Sequence, residues 1–569
     1  MPTEPSAPVI DRFYVDDLYC ALHRAAPAKR RGVSVVFSPA MGRDARWAYR
    51  SLVVFADALA TAGFDVLRFD PAGEGDSGEI ALDADQTPLW TSGLVKAAEQ
   101  ARALTGADRT VLLGLRMGAT LARLVAKDAR ADGLVLLDPL ASGAAWLQEL
   151  RMLEMMAIEP KPEQSAVEAL GLRLSHATKV SLEAIDLAAL PALDIPSLYA
   201  SPIKNNGVIA GLGPAASVIP FKGYASFFKE GHLNTYPEWT FDQVRDWLLK
   251  TFPARAGAAP ASAPAAQTLS ADGYVEAPVV LGDGQYAILT RPAEGAPRRS
   301  VVIGNTGADP RAGTGGFAAR MARTLARHGV ATLRVDFDGL GESNLRQAER
   351  SAVYEQPRTE AFRAGARLLA ERGLPAPDLI GVCTGGFHAV QALLDDRSFG
   401  RVLAINAWLM FRPGSPLERE SFVRSLRTKF MNAQPELAAK IDPLLDTARA
   451  LVPAGQARPA AAAEAPAEKP YVGVDQIDPI ARTALERIET ALGAGQSLCL
   501  LMGHRDPSRG GMDHFGDDGL ERLDRAGLVQ DFEPIDHGLF SLDSQTIVLN
   551  RVVAFLETPS RLDKTVINA

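Results

Sequence analysis

Cysteine is almost missing from this chain. Its 569 residues hold three, Cys20, Cys383 and Cys499. They lie far apart and form no C-x-x-C or other metal-ligand spacing. That excludes a disulfide-built scaffold and a cysteine-held metal, and it suits a reducing compartment. Excess positive charge is lacking too: 60 Lys and Arg face 68 Asp and Glu, for a net charge of −8. A protein devoted to neutralising phosphate backbones has the opposite balance, so no nucleic-acid partner is expected. No apolar run approaches the roughly 18 residues of a membrane span. The start, MPTEPSAPVIDRFYVDD, lacks the basic stretch and apolar core of a secretory signal. These absences point to a cytoplasmic protein without a membrane span.

What the chain does contain is written twice. Residues 66–77 read VLRFDPAGEGDS and residues 332–343 read TLRVDFDGLGES, 266 positions later. VSVVFSPAMG at 33–42 parallels SVVIGNTGAD at 300–309, each an apolar strand running into a loop. FADALATAGF at 55–64 parallels MARTLARHGV at 321–330, each a helix stopped by Gly. VLLGLRMGATLARLVA at 111–126 parallels LIGVCTGGFHAVQALL at 379–394. Between the copies lies an Ala/Pro-rich connector, PARAGAAPASAPAAQ. The expected organisation is a first domain over 1–252, a linker over 253–270 and a second domain over 271–569. In the second copy, strands are expected near SVVIGN, ATLRVDF, DLIGVC, RVLAINAW, SLCLLMG and VQDFEPI. Their runs are continuously apolar rather than alternating, as in parallel strands covered on both faces. Each half is therefore expected to be a doubly wound, mostly parallel α/β sheet.

In such sheets chemistry sits beyond the C-terminal strand ends. There the sequence places Gly381-Val382-Cys383-Thr384-Gly385, between a strand and a helix. Flanking glycines allow a tight turn that pushes the central side chain out at the sheet top. Both halves resemble α/β-hydrolase domains, and the strand tips FDPAGEGDS and VDFDGLGES resemble the D-x-x-G-x-G-x-S segment of peptidase- and lipase-like members. GVCTGG resembles the Cys-containing elbow of dienelactone hydrolases and polyhydroxyalkanoate synthases. The resemblance implies acyl cleavage or transfer through a thioester.

The family order of nucleophile, acid and His then implies Cys383, Asp506 and His537. Asp506 leaves a strand in SLCLLMGHRDP, and His537 precedes the closing helix in VQDFEPIDHGLFSLDSQ. His537 would take the thiol proton, and Asp506 would fix the imidazole tautomer. Asp513 is a spare acid in the same loop. The oxyanion hole would combine the N–H of Thr384 with one from Asn305 or Thr306. Cys20 and Cys499 read as small core residues, His388, His504 and His514 as helix-surface or loop residues, and Asp536 as a neighbour of His537 that points elsewhere.

The first copy keeps the elbow glycines Gly114 and Gly118 but puts Arg116 between them. Arg cannot act as nucleophile. Ile203 falls where the acid would stand, and His232 occupies the base position, so this copy is expected to be inactive. Arg116 is either a salt-bridged structural residue or a ligand for an anionic substrate group. GEGDSG at 73–78 matches G-x-G-x-x-G, but GLGESN in the second copy lacks the third Gly and no amphipathic helix opens at once after Gly78. No dinucleotide, other cofactor or metal is expected. Residues 412–480 stand where α/β-hydrolases insert a lid. There Leu417, Phe422, Leu426 and Phe430 share one helical face beside Arg419, Arg424, Arg427 and Lys429. The leading expectation is a thiol-dependent acyl hydrolase or acyltransferase on a small-molecule or carrier-bound ester, thioester or lactone. A peptidase, or a non-catalytic binding scaffold, are the alternatives.

Overall fold

The computed structural model describes residues 9–155, 166–229, 234–255, 262, 264, 268–282, 284–343, 358–410, 479–504 and 506–558. The lid expected over 412–480 therefore lies almost wholly outside the described residues. So does His232.

Two large sheets dominate. The first contains β1 (Val9–Val15), β2 (Leu18–Arg24), β3 (Val33–Ser38), β4 (Asp65–Phe69), β5 (Arg109–Leu115) and β6 (Gly133–Leu137). A small separate hairpin, β7 (Val167–Ala169) and β8 (Leu172–Leu174), precedes its last strands, β9 (Ser197–Ser201) and β10 (Ala216–Pro220). The second sheet contains β11 (Leu269–Ala271), β12 (Tyr274–Leu281), β13 (Gln285–Pro292), β14 (Arg299–Ile303), β15 (Val330–Val335), β16 (Pro377–Val382), β17 (Arg401–Ile405), β18 (Ser497–Gly503) and β19 (Val529–Glu533). The strand orders are β1-β2-β4-β3-β5-β6-β9-β10 and β11-β12-β13-β15-β14-β16-β17-β18-β19. Apart from the added β11, they are one order used twice. From β4 and β15 onward every pairing is parallel.

The continuously apolar strands explain the double layering. Leu67, Leu112 and Leu134 pack on one face of the first sheet, and Val66, Val111 and Val135 on the other. Val302, Leu379 and Val402 are split from Ile380, Leu403 and Leu501 in the same way. Both faces are covered by helices, so both are largely apolar. The antiparallel start of the second sheet was not legible in this way, since β12 mixes buried and half-buried residues with the exposed Val280. The second sheet begins at Leu269, just inside the tract assigned to the linker. Leu269 is buried, and an Asp272-Gly273 turn folds β11 back on β12.

The halves meet through a contact made twice. Arg68 of the first half pairs with Glu342 of the second, and Arg334 of the second pairs with Asp76 of the first. These are the same two positions of the repeated segment. Asp70 accepts from the Asp76 N–H at 2.8 Å, and Asp336 from the Glu342 N–H at 3.0 Å. Ser77 and Ser343 return a hydroxyl bond to the Asp70 and Asp336 carbonyls at 2.6 and 2.7 Å. Glu342 also receives Arg12 at 2.6 Å and the Tyr19 hydroxyl at 2.8 Å. Arg311 joins Asp76 and Asp336 at 2.8 and 2.7 Å. Beside this network Tyr14 and Tyr19 of the first half pack with Leu269, Tyr274 and Ile288 of the second. Burial works against the Glu342 charge, but Arg12, Arg68 and Arg311 outweigh it and hold the carboxyl well below its ordinary range.

Removing one partner of such a cluster leaves an uncompensated buried charge, so Glu342→Gln should cost about 3–5 kcal/mol. The urea midpoint measures it. Because folding depresses this carboxyl, its contribution is present above the ordinary Glu value of about 4.3 and is lost as pH falls below it. The stability gap between wild type and Glu342→Gln should accordingly narrow on acidification below about pH 4.3.

Candidate active site

β16 ends at Val382, and the helix Thr384–Asp395 begins after a single intervening residue. Cys383 joins them with φ 53° and ψ −116°, a conformation that costs a non-glycine residue about 1–3 kcal/mol. Its N–H is fixed to the Ile405 carbonyl of β17 at 2.8 Å. The glycines are sterically required. A Cβ on Gly381 would lie 2.2 Å from the Gly385 carbonyl carbon, and one on Gly385 would lie 2.5 Å from the Asn305 carbonyl oxygen. The turn therefore drives the half-buried Cys383 thiol outward beside the start of a helix, where backbone N–H groups favour negative charge.

Three sequence-predicted residues converge there. His537 Nδ1 lies 2.8 Å from Asp506 Oδ2. The buried Asp506 follows β18, and its other oxygen accepts from the backbone N–H of Ser508 at 2.8 Å and from the Ser508 hydroxyl. Burial would raise the Asp506 carboxyl, but the bonds from His537 and Ser508 outweigh it and hold it below its ordinary value. Burial would likewise lower the His537 imidazole. Cys383 and Asp506, both charge-paired and hydrogen-bonded to it, raise it well above its ordinary value instead. The arrangement favours an imidazolium between a sulfur and a carboxylate, with the carboxylate accepting from Nδ1 and holding the ring's orientation.

Asn305 and Thr306 follow β14 and line a small cleft with Val382, Phe317 and Gly538. Asn305 is buried; its amide donates to the Asp309 carbonyl and Asp336, and its oxygen accepts from the Phe337 N–H at 2.6 Å. The Gly307 N–H donates to the Thr384 hydroxyl at 2.7 Å, tying this loop to the residue after Cys383.

The other candidates fall elsewhere. Asp513 is exposed in a short turn at Asp513–Phe515. Asp536 accepts from the Phe540 and Ser541 N–H groups and shapes the loop. Cys20 is fully buried, and burial with Asp70 nearby pushes its thiol up. Burial and Asp531 push the Cys499 thiol up to about 12. His504 is exposed and His514 half-buried. His388 differs from expectation: it is buried, not on a helix surface. Its helix is sandwiched against the sheet, its ring packs against Phe337 and Phe387, and its Nδ1 accepts from the Arg358 N–H.

Sequence reasoning missed Asn406. It follows β17 with φ 48°, its amide donates to the Asp536 and His537 carbonyls at 2.9 and 3.1 Å, and its oxygen accepts from the Gly503 N–H. One side chain thus ties the base loop to the end of the acid strand. An Asn leaving an apolar strand, where the first copy has Asp138, was the available signal.

In the first half Arg116 repeats the elbow geometry, with φ 53° and ψ −122°. Its three nitrogens face Asp44, Asp138 and Glu149, so the salt-bridged arrangement is the one seen. The acid position needs correction. Ala200 of β9 and Leu501 of β18 accept from equivalent N–H groups, of Asp138 and Asn406. Counting onward from that shared register puts Asn205, not the exposed Ile203, opposite Asp506. Asn205 caps a short helix, accepting from Val208.

Comparison with known proteins adds a family match and several likenesses. Residues 14–173 match the hydrolase family model described as serine aminopeptidase, S33. The match falls within the first half and does not reach Cys383. Curated proteins gave no match. Among solved structures, the chain is similar to the esterase Pf2001 of Pyrococcus furiosus, at 14% identity over 50% of this chain and 92% of that one, TM-score 0.32. Est1E of Butyrivibrio proteoclasticus aligns at 15% identity over 42% and 98%, TM-score 0.32. GrgF of a Penicillium species aligns at 17% over 50% and 98%, TM-score 0.30. The matched segment and the shared strand order of the two sheets give this chain the α/β-hydrolase fold.

Proposed function

We propose that the second half is an acyl hydrolase or acyltransferase acting on an ester, thioester or lactone through Cys383, His537 and Asp506. The observation that carries this reading is the hydrogen-bonded run from Cys383 through His537 to Asp506 at a strained strand–helix turn. In the reaction the Cys383 sulfur forms a bond to the substrate carbonyl carbon, and the thiol proton resides on His537. The N–H of Thr384 and the Asn305–Thr306 turn receive the oxyanion. As the carbon–leaving-group bond breaks, His537 returns the proton to the leaving group. Water or another acceptor, deprotonated by His537, then cleaves the thioester and restores the thiol.

A peptidase reading draws on the serine aminopeptidase family model at residues 14–173. It ranks second because that segment carries Arg116 where a nucleophile would stand.

Intact-protein mass after exposure to short- and long-chain acyl esters and thioesters tests the proposal. The expected result is a single acyl adduct at Cys383 and turnover that falls roughly 10³-fold or more in Cys383→Ala, and roughly 10²–10⁴-fold in Asp506→Asn. Adducts confined to other residues would overturn the Cys383 assignment, and turnover of aminoacyl amides but not of esters would favour the second reading.

Iodoacetamide reports on the sulfur alone. Because His537 is raised well above its ordinary value, its imidazolium persists through neutral pH. Labelling of Cys383 should stay nearly level between about pH 6 and 8, while His537→Ala should follow a free thiol, rising close to tenfold per pH unit below about 8.5. Cys20 and Cys499 should label only after denaturation.

A further inference from the structure

The loop that would supply the second oxyanion donor is held from outside its own domain. It runs from Asn305 to Gly316 in the second half, and the residue that grips it is Arg46, on the first-half helix Gly42–Thr61. Arg46 Nη1 donates to Asp309 and, at 3.4 Å, to the Thr314 hydroxyl; Nη2 donates to the Leu170 carbonyl at 3.2 Å. Asp309 in turn fixes the two residues at issue. Its N–H donates to the Thr306 carbonyl at 3.0 Å, and its own carbonyl accepts from the Asn305 amide at 2.9 Å. The Gly307 N–H then bonds the hydroxyl of Thr384, next to Cys383.

Steric fit adds to the charge pair. The first-half hairpin turn presses on the same loop so closely that a Cβ on Gly315 would sit 2.0 Å from the Gly171 carbonyl oxygen. The loop's glycines Gly307, Gly313, Gly315 and Gly316 all have positive φ. A segment with so little side-chain bulk and so many left-handed turns has many accessible backbone states when free. A fixed oxyanion hole needs one of them.

We propose that Arg46 is a positioning residue for the second half's acyl-transfer site, acting through Asp309 to hold the Asn305–Thr306 turn where a developing oxyanion is received. The inference rests on the Cys383 reading above. It gives the half that lacks a nucleophile a task in catalysis: it supplies the clamp, and the other half supplies the sulfur.

Two reagents acting on the same sulfur separate positioning from general damage. Acylation by p-nitrophenyl acetate passes through an oxyanion and releases p-nitrophenolate as the Cys383–acyl bond forms. Alkylation by iodoacetamide displaces iodide at a saturated carbon and forms none. In Arg46→Ala the acylation rate should fall roughly 10–100-fold, the scale of a misplaced oxyanion donor, while alkylation at Cys383 stays within about twofold. Arg46→Lys, which keeps a charge for Asp309 but not the bonds to Thr314 and Leu170, should recover part of the loss. Asp309→Asn should reproduce the loss, and the double variant should add little to either single one. Equal losses in both reagents, or none in either, would overturn the assignment and leave the Cys383 reading standing. Wild-type protein whose Cys383 reacts with neither reagent would overturn both.

Discussion

Arg68 to Glu342 and Arg334 to Asp76 are one interaction written twice, and it sets the terms for the molecule. Four charges, with Arg12, Arg311 and Asp336 beside them, are removed from water at the seam. Burial of that kind is unfavourable unless every charge finds its partner. Arg68, Asp76, Arg334 and Glu342 each have a partner in the other half, while Arg311–Asp336 and Arg334–Glu276 are paired within the second. The repeated D-x-x-G-x-G segment therefore does two jobs: Asp70 and Asp336 close its turn internally, and the following acid reaches across. Glu342 in particular draws two of its three arginines, Arg12 and Arg68, from the other half.

The same docking brings first-half groups to the edges of the second-half site. Arg46 reaches the loop after β14, and Glu168, in the small hairpin, accepts from the Leu542 N–H at the start of the helix that follows His537. Asn406 and Ser508 do comparable work from within the second half. Cys383, Asp506 and His537 follow three strands, β16, β18 and β19, which is the usual arrangement at the top of a parallel sheet.

The parallel strands and the elbow could be read from the sequence because both are local patterns. Continuous apolar runs give the strands of the second half to within a few residues, and Gly-x-Cys-x-Gly marks the turn. The antiparallel strands β12 and β13 were less visible, since one flank is only partly covered and the pattern weakens. His388 was misread because its burial depends on what packs over its helix, information that lies in Phe337 and Arg358. The Ile203 reading failed because a loop's length had to be guessed; the hydrogen-bond register through Ala200 and Leu501 removes the guess. The seam was invisible for a deeper reason. An Arg in an apolar strand has no sequence-local partner, and Arg68 and Glu342 stand 274 residues apart.

A contact in which position i meets position j and j meets i is the signature of a two-fold dimer. Here it has been captured inside one polypeptide. In a true homodimer any substitution strikes both copies at once. Within one polypeptide the two matching turns hold different residues, Arg116 and Cys383. The price of divergence falls on the seam, where Arg68, Asp76, Arg334 and Glu342 must still answer one another. A change at any of these four positions is therefore felt by both halves at once, whereas a change at either sheet top is felt by one.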